Sequence, residues 1–480
     1  MTGVSDVTQR TARRLVLRLS VVLAVLVAAL IVALTVLGPF GHRQSTSPQG
    51  AITAAEATQV PGAALPAQEA PEVLPTVGDD TPEVSATKLT QRMRKFMTAK
   101  KLGKSVSVDV LDPLTGEHLL SRAAGAARTP ASTTKLLTTT AVLSALGAQN
   151  TITTSAVGEG KTVYLVGGGD VLLGAGKSNQ DVVDGHAGLT TLAEQTATAL
   201  KASGTTSVRV VLDDTLFQGP AMAAGWDQSD VDNGYVAPIY AAEISAGRLR
   251  VGNYVPRSKD PGLAAAQSFA KALVRLGINV SHKITRGAAA SDAAPLGSVQ
   301  SAPLGDQVEY LLNHSDNTVA EALGRLVAIK RGVGAKFTDV GPAVLGELAE
   351  KDVPVAGTKL ADGSGLSAES RIPVRTLTAV LALDAGPKGT GLRQVLTGMP
   401  IAGVSGTLEE RFLEPSEKDA TGLVRAKTGT LSGVSSLAGT LVDADGRFLV
   451  FAVMADQVPS TAGAREALDA FAARLAGCGC

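Results

Sequence analysis

Three short motifs contain the residue types of a serine acyl-transfer site that needs no catalytic histidine. They are, in chain order, Ser132-Thr133-Thr134-Lys135, Ser315-Asp316-Asn317 and Lys427-Thr428-Gly429-Thr430. The first places a hydroxyl nucleophile and an amine base one helical turn apart. The second adds a hydroxyl that can relay a proton, and the third adds a cationic strand for the anionic end of a substrate. Together the motifs predict covalent catalysis through an acyl-enzyme.

The Ser-x-x-Lys spacing alone does not identify the nucleophile, because it occurs at Ser85/Lys88, Ser132/Lys135 and Ser268/Lys271. An oxyanion hole uses the nucleophile's own unpaired backbone N–H, and such groups occur in the first turn of a helix. Ser132 follows Pro130, a residue suited to that first turn. Ser268 instead falls about two turns into a predicted amphipathic helix. We therefore predict Ser132 as the nucleophile and Lys135 as its base, with Ser268 as the weaker alternative.

The elements around these motifs predict an α+β fold. Residues 105–111 and 117–121 read as a β-hairpin, and a helix is expected from residue 129 to residue 146. Residues 424–431, 434–443 and 447–454 read as three strands, followed by a closing helix over 461–475. Strands at both chain ends with helices between them predict an antiparallel sheet flanked by helices. We expect residues 86–147 and 299–476 to form this catalytic domain, split by a mostly β inserted domain over 148–298.

The N-terminal region predicts a membrane anchor and a tether. The run 19–37 contains only two polar residues and, as a helix, would span roughly 28 Å, close to the thickness of a bilayer. Four arginines precede it, so residues 1–18 are expected in the cytoplasm and the catalytic domain outside the cell membrane. Residues 38–85 are rich in proline and alanine and predict a disordered linker. A cleaved signal peptide is the alternative.

Composition argues against several other kinds of protein. The 44 basic and 44 acidic residues cancel, and aromatic residues make up only 3% of the chain, so no nucleic-acid partner is expected. The five histidines are scattered without ligand spacing, and Cys478 and Cys480 are the only cysteines. We therefore expect no metal or other cofactor, and we interpret the Cys-Gly-Cys end as a frayed tail.

Beyond the three motifs, the chain resembles the penicillin-binding protein 4 type of D-alanyl-D-alanine carboxypeptidase/endopeptidase, a peptidase S13-like group of serine D,D-peptidases with a β-lactamase-like catalytic fold. The segments that carry this resemblance are 165–170, 211–217, 225–227, 235–238, 362–367 and 403–408. The family commonly has a second inserted domain after a Tyr-x-x-Pro region, which corresponds to residues 235–238 here. The short stretch between Ala242 and Pro261 indicates that this domain is lost or reduced here.

The resemblance and the chemistry together imply a mechanism. Ser132 attacks the carbonyl between the two terminal D-alanines of a peptidoglycan stem peptide, and a neutral Lys135 takes its proton. Ser315 passes that proton to the departing amine. Asn317 holds the substrate amide and orients Lys135, and Asp316 stabilises its loop.

The third motif is expected to bind the anionic end of the substrate. Lys427, Thr428 and Thr430 receive the free carboxylate, and Gly429 lets the substrate backbone approach the strand. Backbone N–H groups of Ser132 and Thr430 form the oxyanion hole. β-Lactam antibiotics are expected to acylate Ser132 in the same way.

Two other functions fit the same motifs. A secreted β-lactamase uses a similar set of residues and would turn β-lactams over rapidly. A non-catalytic module that binds β-lactams or the cell wall would keep the site without releasing D-alanine. The predicted anchor, tether and large insert favour a D-alanyl-D-alanine carboxypeptidase that works on peptidoglycan, and endopeptidase activity stays open.

Overall fold

A computed structural model describes residues 81–281 and 283–480. The predicted cytoplasmic segment 1–18, the anchor 19–37 and all but the last five residues of the predicted linker lie outside the described residues. Within the described ranges, no helix is both long enough and apolar enough to cross a bilayer. Ser85, at the end of the predicted linker, caps the first described helix by accepting a hydrogen bond from the Lys88 N–H at 3.4 Å.

The described helices, in chain order, are α1 (Ala86–Met97), α2 (Thr134–Leu146), α3 (Leu189–Ala202), α4 (Gln228–Asp232), α5 (Pro261–Arg275), α6 (Leu304–His314), α7 (Asn317–Lys330), α8 (Phe337–Ala349), α9 (Val374–Ala385), α10 (Gln394–Thr397) and α11 (Thr461–Ala476). The described strands are β1 (Ser105–Leu111), β2 (His118–Arg122), β3 (Ala127–Arg128), β4 (Thr153–Glu159), β5 (Thr162–Val166), β6 (Asp170–Leu173), β7 (Ser207–Asp213), β8 (Ala242–Ile244), β9 (Asn279–Val280), β10 (Thr285–Arg286), β11 (Ala294–Gln300), β12 (Ile372–Pro373), β13 (Arg425–Leu431), β14 (Val434–Val442) and β15 (Phe448–Asp456).

The two ends of the described chain meet in one five-stranded antiparallel sheet. Its strand order is β13-β14-β15-β1-β2, with Ser105 opposite Asp456 and Leu111 opposite Val450. Strands β14 and β15 are buried almost throughout, because α11 and α1 cover one face of the sheet while α2 and α9 cover the other. The predicted hairpin, the three C-terminal strands and the closing helix are confirmed to within two residues.

The middle of the chain forms a second sheet, of mixed direction. Its strand order is β10-β7-β5-β4-β11, with β9 also beside β7. Strand β7 runs parallel to β5, β9 and β10, whereas β4 runs antiparallel to β5 and β11. The expectation of a mostly β segment is therefore wrong, because parallel neighbours need crossover connections and α3 and α5 provide them. Both helices bury one apolar face against this sheet.

The C-terminal tail is packed, which corrects its interpretation as a frayed end. Cys478 is only 1% exposed and lies in the same apolar cluster as Val84. The carbonyl of Cys480 accepts a hydrogen bond from the Ser85 N–H at 3.2 Å, and the two cysteines are bonded to each other. A buried cysteine behaves as a small apolar side chain, so the tail closes the core beside the point where the described chain begins.

Candidate active site

Ser132 lies in a single 3₁₀ turn, Ala131–Thr133, directly before α2. Ala131 has a φ of +50°, a left-handed conformation that a residue with a side chain adopts only when its surroundings impose it. The Thr133 hydroxyl donates to the Pro130 carbonyl at 2.8 Å, and the Thr134 hydroxyl donates to the Ala131 carbonyl at 2.9 Å. These bonds hold the half-buried Ser132 at the start of the helix, as the position of Pro130 predicted.

Lys135 lies fully buried beneath this serine and connects three parts of the chain. Its Nζ is 3.0 Å from Ser132 Oγ, 2.5 Å from Asn317 Oδ1 and 2.8 Å from the carbonyl oxygen of Ser364. Burial lowers the pKa of Lys135 from 10.5 to about 8, although the negative charges of Asp362, Glu321 and Asp316 act in the opposite direction. An amine with that pKa, within hydrogen-bonding distance of a hydroxyl, has the properties of a general base.

The Ser315-Asp316-Asn317 motif forms the tight connection between α6 and α7. Ser315 is half-buried and has a φ of +54°. Asp316 caps α7 by accepting from the Val319 N–H at 3.0 Å, and its other oxygen accepts from Arg248 Nη2 at 2.5 Å. The prediction that Asp316 stabilises its own loop is therefore confirmed. Asn317 begins α7, and its Nδ2 donates to the Tyr235 carbonyl at 3.0 Å, so both ends of its amide are held.

The third motif lies on β13, which is an edge strand of the five-stranded sheet. Lys427 is fully buried and its Nζ donates to the Thr428 carbonyl at 2.9 Å. Burial, reinforced by the nearby positive charges of Lys135 and Arg411, pushes the pKa of Lys427 well below its usual value. Thr428 Oγ1 lies 2.9 Å from Thr407 Oγ1.

Gly429 lies where β13 packs against the nucleophile turn. A Cβ at this position would overlap Ser436 Oγ and would lie 2.6 Å from the Pro130 carbonyl oxygen. The structure therefore adds a reason for this glycine beyond the expected approach of a substrate. The strand and the turn that carries Ser132 can touch only if residue 429 has no side chain.

Two buried carboxyl groups, those of Glu321 and Asp362, hold the segment whose Ser364 carbonyl accepts from Lys135. Glu321 accepts from the Gly363 N–H at 3.0 Å and from the Ser364 N–H at 2.7 Å. Asp362 accepts from the Gly365 and Ser367 N–H groups, at 2.7 and 2.6 Å. Burial, together with the charge of Asp362, raises the pKa of Glu321 to about 7.

Trp226, the only tryptophan of the chain, connects the middle segment to this network. Its Nε1 donates to Asp362 Oδ2 at 3.1 Å.

No motif in the sequence pointed to Glu321. Glu321 lies four residues after Asn317, and this spacing puts both on one face of α7, which is the signal that could have found it.

The alternative serines have other roles. Ser268 lies well inside α5, which packs on the second sheet, and Ser85 caps α1.

The structure thus places Ser132, Lys135 and Asn317 in direct contact, with β13 packed against the nucleophile turn. A serine hydroxyl, a buried amine of lowered pKa and an edge strand define a serine hydrolase that works by acyl transfer.

Comparison with known proteins gives the particular family. The model of the D-Ala-D-Ala carboxypeptidase 3 (S13) family matches residues 89–255 and 251–476. The chain belongs to this family of serine peptidases, and its fold is that of penicillin-binding protein 4.

Relatives match over most of the chain. Carboxypeptidase Rv3627c of Mycobacterium tuberculosis is 39% identical over 411 residues, which cover 84% of this chain and 87% of the relative. Carboxypeptidase DacB of Mycolicibacterium smegmatis is 35% identical over 433 residues, covering 89% of this chain and 91% of the relative. The crystal structure of penicillin-binding protein 4 from Haemophilus influenzae shares the fold, with a TM-score of 0.66 and 22% identity, and the match covers 82% of this chain and 98% of that one. A structure of that Haemophilus protein with a β-lactam matches with a TM-score of 0.59 and the same identity and coverage.

Proposed function

We propose that this carboxypeptidase removes the terminal D-alanine of peptidoglycan stem peptides through an acyl-enzyme on Ser132, and that β-lactams acylate the same oxygen. The 3.0 Å contact between Lys135 Nζ and Ser132 Oγ, with the amine fully buried, is the observation that carries this proposal. The relatives named as carboxypeptidases, and the Haemophilus protein that was crystallised with a β-lactam, support it.

In the proposed acylation, Ser132 Oγ forms a bond to the carbonyl carbon of the penultimate D-alanine while Lys135 accepts the serine proton. The C–N bond to the terminal D-alanine then breaks, and Ser315 relays a proton to the departing amine. Asn317 keeps Lys135 in place through the 2.5 Å contact, and the second N–H of its Nδ2, beside the one that donates to the Tyr235 carbonyl, is offered to the substrate. Water then hydrolyses the ester and releases the shortened peptide.

The edge strand β13 is proposed to bind the substrate alongside Ser132. An edge strand has unpaired backbone groups on its outer side, so an extended peptide can pair with it. Backbone N–H groups of Ser132 and Thr430 would stabilise the oxyanion, and Thr428 and Thr430 would contact the substrate carboxylate. Lys427 lies buried near Lys135, and burial together with the charge of Lys135 pushes the pKa of Lys427 well below its usual value.

The proposed cellular position rests on the sequence. We propose that residues 19–37 anchor the chain in the cell membrane, with residues 38–85 as a tether and the catalytic domain outside. We further propose the division of the exported part into a catalytic domain, 86–147 and 299–476, and an inserted domain, 148–298.

Extraction of membranes with alkaline carbonate tests the anchor: the intact chain should stay in the membrane fraction, and a variant without residues 1–37 should not. Release into the medium of a chain shortened at its N-terminus would favour the cleaved signal peptide.

Intact-mass measurement after incubation with benzylpenicillin tests the catalytic proposal. The wild-type chain and Ser268→Ala should each gain the mass of one penicilloyl group, and Ser132→Ala should gain none. The same preparations are then given a stem pentapeptide, and D-alanine release should follow the labelling pattern. An adduct on Ser132→Ala would refute the assignment of the nucleophile. Rapid turnover of nitrocefin would support a β-lactamase instead, and labelling without D-alanine release would support a non-catalytic binding module.

A further inference from the structure

The outer face of α1 and of the turn that follows it is strongly basic. Residues 86–104 contain seven lysines and arginines and no aspartate or glutamate, whereas basic and acidic residues cancel over the whole chain. All seven are exposed, and we call them the basic face: Lys88, Arg92, Arg94, Lys95, Lys100, Lys101 and Lys104. One short segment thus concentrates a positive charge that the chain as a whole lacks.

The packing of α1 explains why these charges lie in solvent. Three apolar residues of the helix are buried in the core on one face of the five-stranded sheet: Leu89, Met93 and Met97. Lys88, Arg92 and Lys95 follow the spacing i, i+4 and i+7, which places them on one stripe of the helix, away from the buried residues. The stripe therefore presents three positive charges side by side.

Most of these charges have no acidic partner. Lys101 pairs with Glu466 at 2.5 Å, whereas no carboxylate lies within 4.0 Å of the other six in the part of the chain that the structure describes. Glu414 and Glu417 line a cleft together with Lys95 and Lys101, so acidic groups adjoin the basic face at this end. The rest of the face is available to an anionic partner.

The position of α1 in the chain indicates which anionic partner it reaches. The helix begins at Ala86, directly after the predicted linker, and between Arg43 and Lys88 the sequence has no lysine or arginine. A flexible chain as long as this linker has an end-to-end distance of about 40 Å. With residues 19–37 in the membrane, the lipid surface is held near the basic face at a high effective concentration. Because salt screens charges beyond about 8 Å, the face attracts a surface that it can touch.

We propose that the basic face docks on the anionic lipid headgroups of the membrane in which the chain is anchored, and thereby sets the orientation of the catalytic domain. α1 covers one face of the five-stranded sheet, whereas α2, which directly follows the turn with Ser132, covers the other. Docking through α1 puts the bilayer and α2 on opposite sides of the sheet, so the membrane does not cover the nucleophile. This inference goes beyond the proposed reaction, and its choice of partner rests on the proposed anchor.

Vesicle binding tests the basic face separately from the anchor. The chain without residues 1–37 keeps every described strand and helix, and circular dichroism checks that it is folded. Its binding constant is measured by co-sedimentation with vesicles of phosphatidylcholine, alone or mixed with phosphatidylglycerol, at low and at physiological salt. Binding should require phosphatidylglycerol and should weaken as salt is added.

Two triple substitutions that remove the same charge give the decisive comparison. Lys88→Gln, Arg92→Gln and Lys95→Gln together should lower the binding constant about a hundredfold, since each basic residue near an anionic surface contributes about fivefold. The matched control replaces three exposed residues of α3 and α5 that also have no carboxylate within 4.0 Å among the described residues: Lys201→Gln, Lys271→Gln and Arg275→Gln. The control should bind within about twofold of the wild type, because charges far from the lipid surface are screened.

An equal loss in the two triple variants, or equal binding to both kinds of vesicle, would overturn the proposal. Tighter binding to soluble poly(glycerol phosphate) than to phosphatidylglycerol vesicles would also overturn it, in favour of an anionic polymer as the partner. The full chain in nanodiscs of the same two compositions gives a second measurement. Acetylation of Lys88 and Lys95 should slow with phosphatidylglycerol, and equal acetylation in both nanodiscs would speak against docking. If the chain is secreted, the proposed anchor fails, while the vesicle comparison still decides whether the basic face binds lipid.

Discussion

The side-chain amine of Lys135 donates to the main-chain carbonyl of Ser364 at 2.8 Å, so the base of the proposed reaction is held by a segment 229 residues away. That carbonyl is in turn fixed because the N–H of Ser364 donates to Glu321. The position of the amine under Ser132 thus depends on a buried carboxyl group on α7 that touches no substrate.

The rate of β-lactam acylation should rise with pH, with a midpoint near 8. The pKa of Lys135 is lowered to about 8, and only the neutral amine can accept the serine proton. Below the midpoint the amine is protonated, so the rate should fall about tenfold per pH unit. Stopped-flow measurement of the second-order rate constant from pH 6 to pH 10, with circular dichroism as the control for folding, checks this. A flat profile over that range would contradict the role of Lys135.

Replacement of Glu321 by Gln should move that midpoint to lower pH. The negative charge of Glu321 raises the pKa of Lys135, so its removal favours the neutral amine at a given pH. The expected shift is about half a pH unit. Because the pKa of Glu321 is itself about 7, the difference between the variants should appear above pH 7 and vanish below it.

The exposed Glu369 supplies the control for this experiment, because its side chain is 71% exposed and its replacement by Gln should leave the profile unchanged. Glu321→Gln should also unfold more easily, by about 1–3 kcal/mol, because an amide NH₂ cannot accept from the second of two buried N–H groups. Urea denaturation measures this loss. A midpoint that stays at the wild-type pH in a folded variant would show that the carboxyl does not act on the amine.

Replacement of Gly429 by Ala should separate β13 from the nucleophile turn. The added Cβ would overlap Ser436 Oγ and lie 2.6 Å from the Pro130 carbonyl. The expected cost is about 1–3 kcal/mol of stability and about a hundredfold in the acylation rate, since a small displacement of a catalytic group has a large effect on rate. Gly125→Ala is the matched control, because nothing lies within 4 Å of the Cβ position there. Equal acylation rates in the two variants would argue against the close approach.

Replacement of Arg248 by Ala should destabilise the turn that carries Ser315 and Asn317. Arg248 pairs with Asp316 at 2.5 Å, with side-chain exposures of 8% and 0%. Removing one partner leaves a buried carboxylate less well paired, which typically costs about 3 kcal/mol. Arg257 Nη2, 3.5 Å from the same carboxylate, should offset part of that cost.

The free energy of unfolding and the penicillin acylation rate should therefore both fall in Arg248→Ala. Arg250→Ala, two residues further along on an exposed side chain, should change neither. Arg248→Lys should restore part of the stability, because it keeps the charge but not the planar group. Wild-type stability in Arg248→Ala would mean that Arg257 alone holds the turn.

The sequence alone determined the chemistry of the site and the strands of the five-stranded sheet. The three motifs contain the serine, amine and amide that the structure brings together, and Pro130 correctly predicted that Ser132 lies at the start of a helix. Alternating polar and apolar residues predicted the hairpin and the C-terminal strands, because such patterns reflect which face of a local element is buried. Local patterns carry this information within a few neighbouring residues.

Only the tertiary structure decided which distant groups meet. The Ser364 carbonyl is a main-chain atom, so no residue type announces that it accepts from Lys135. The contact of Arg465 with Thr430 joins a helix to a strand 35 residues away, and the mixed direction of the second sheet depends on which strands become neighbours. Likewise, the Cys478 tail is buried because α1 and the closing helix pack on the same face of the sheet. These features arise from long-range packing, which a single sequence does not encode in any local pattern.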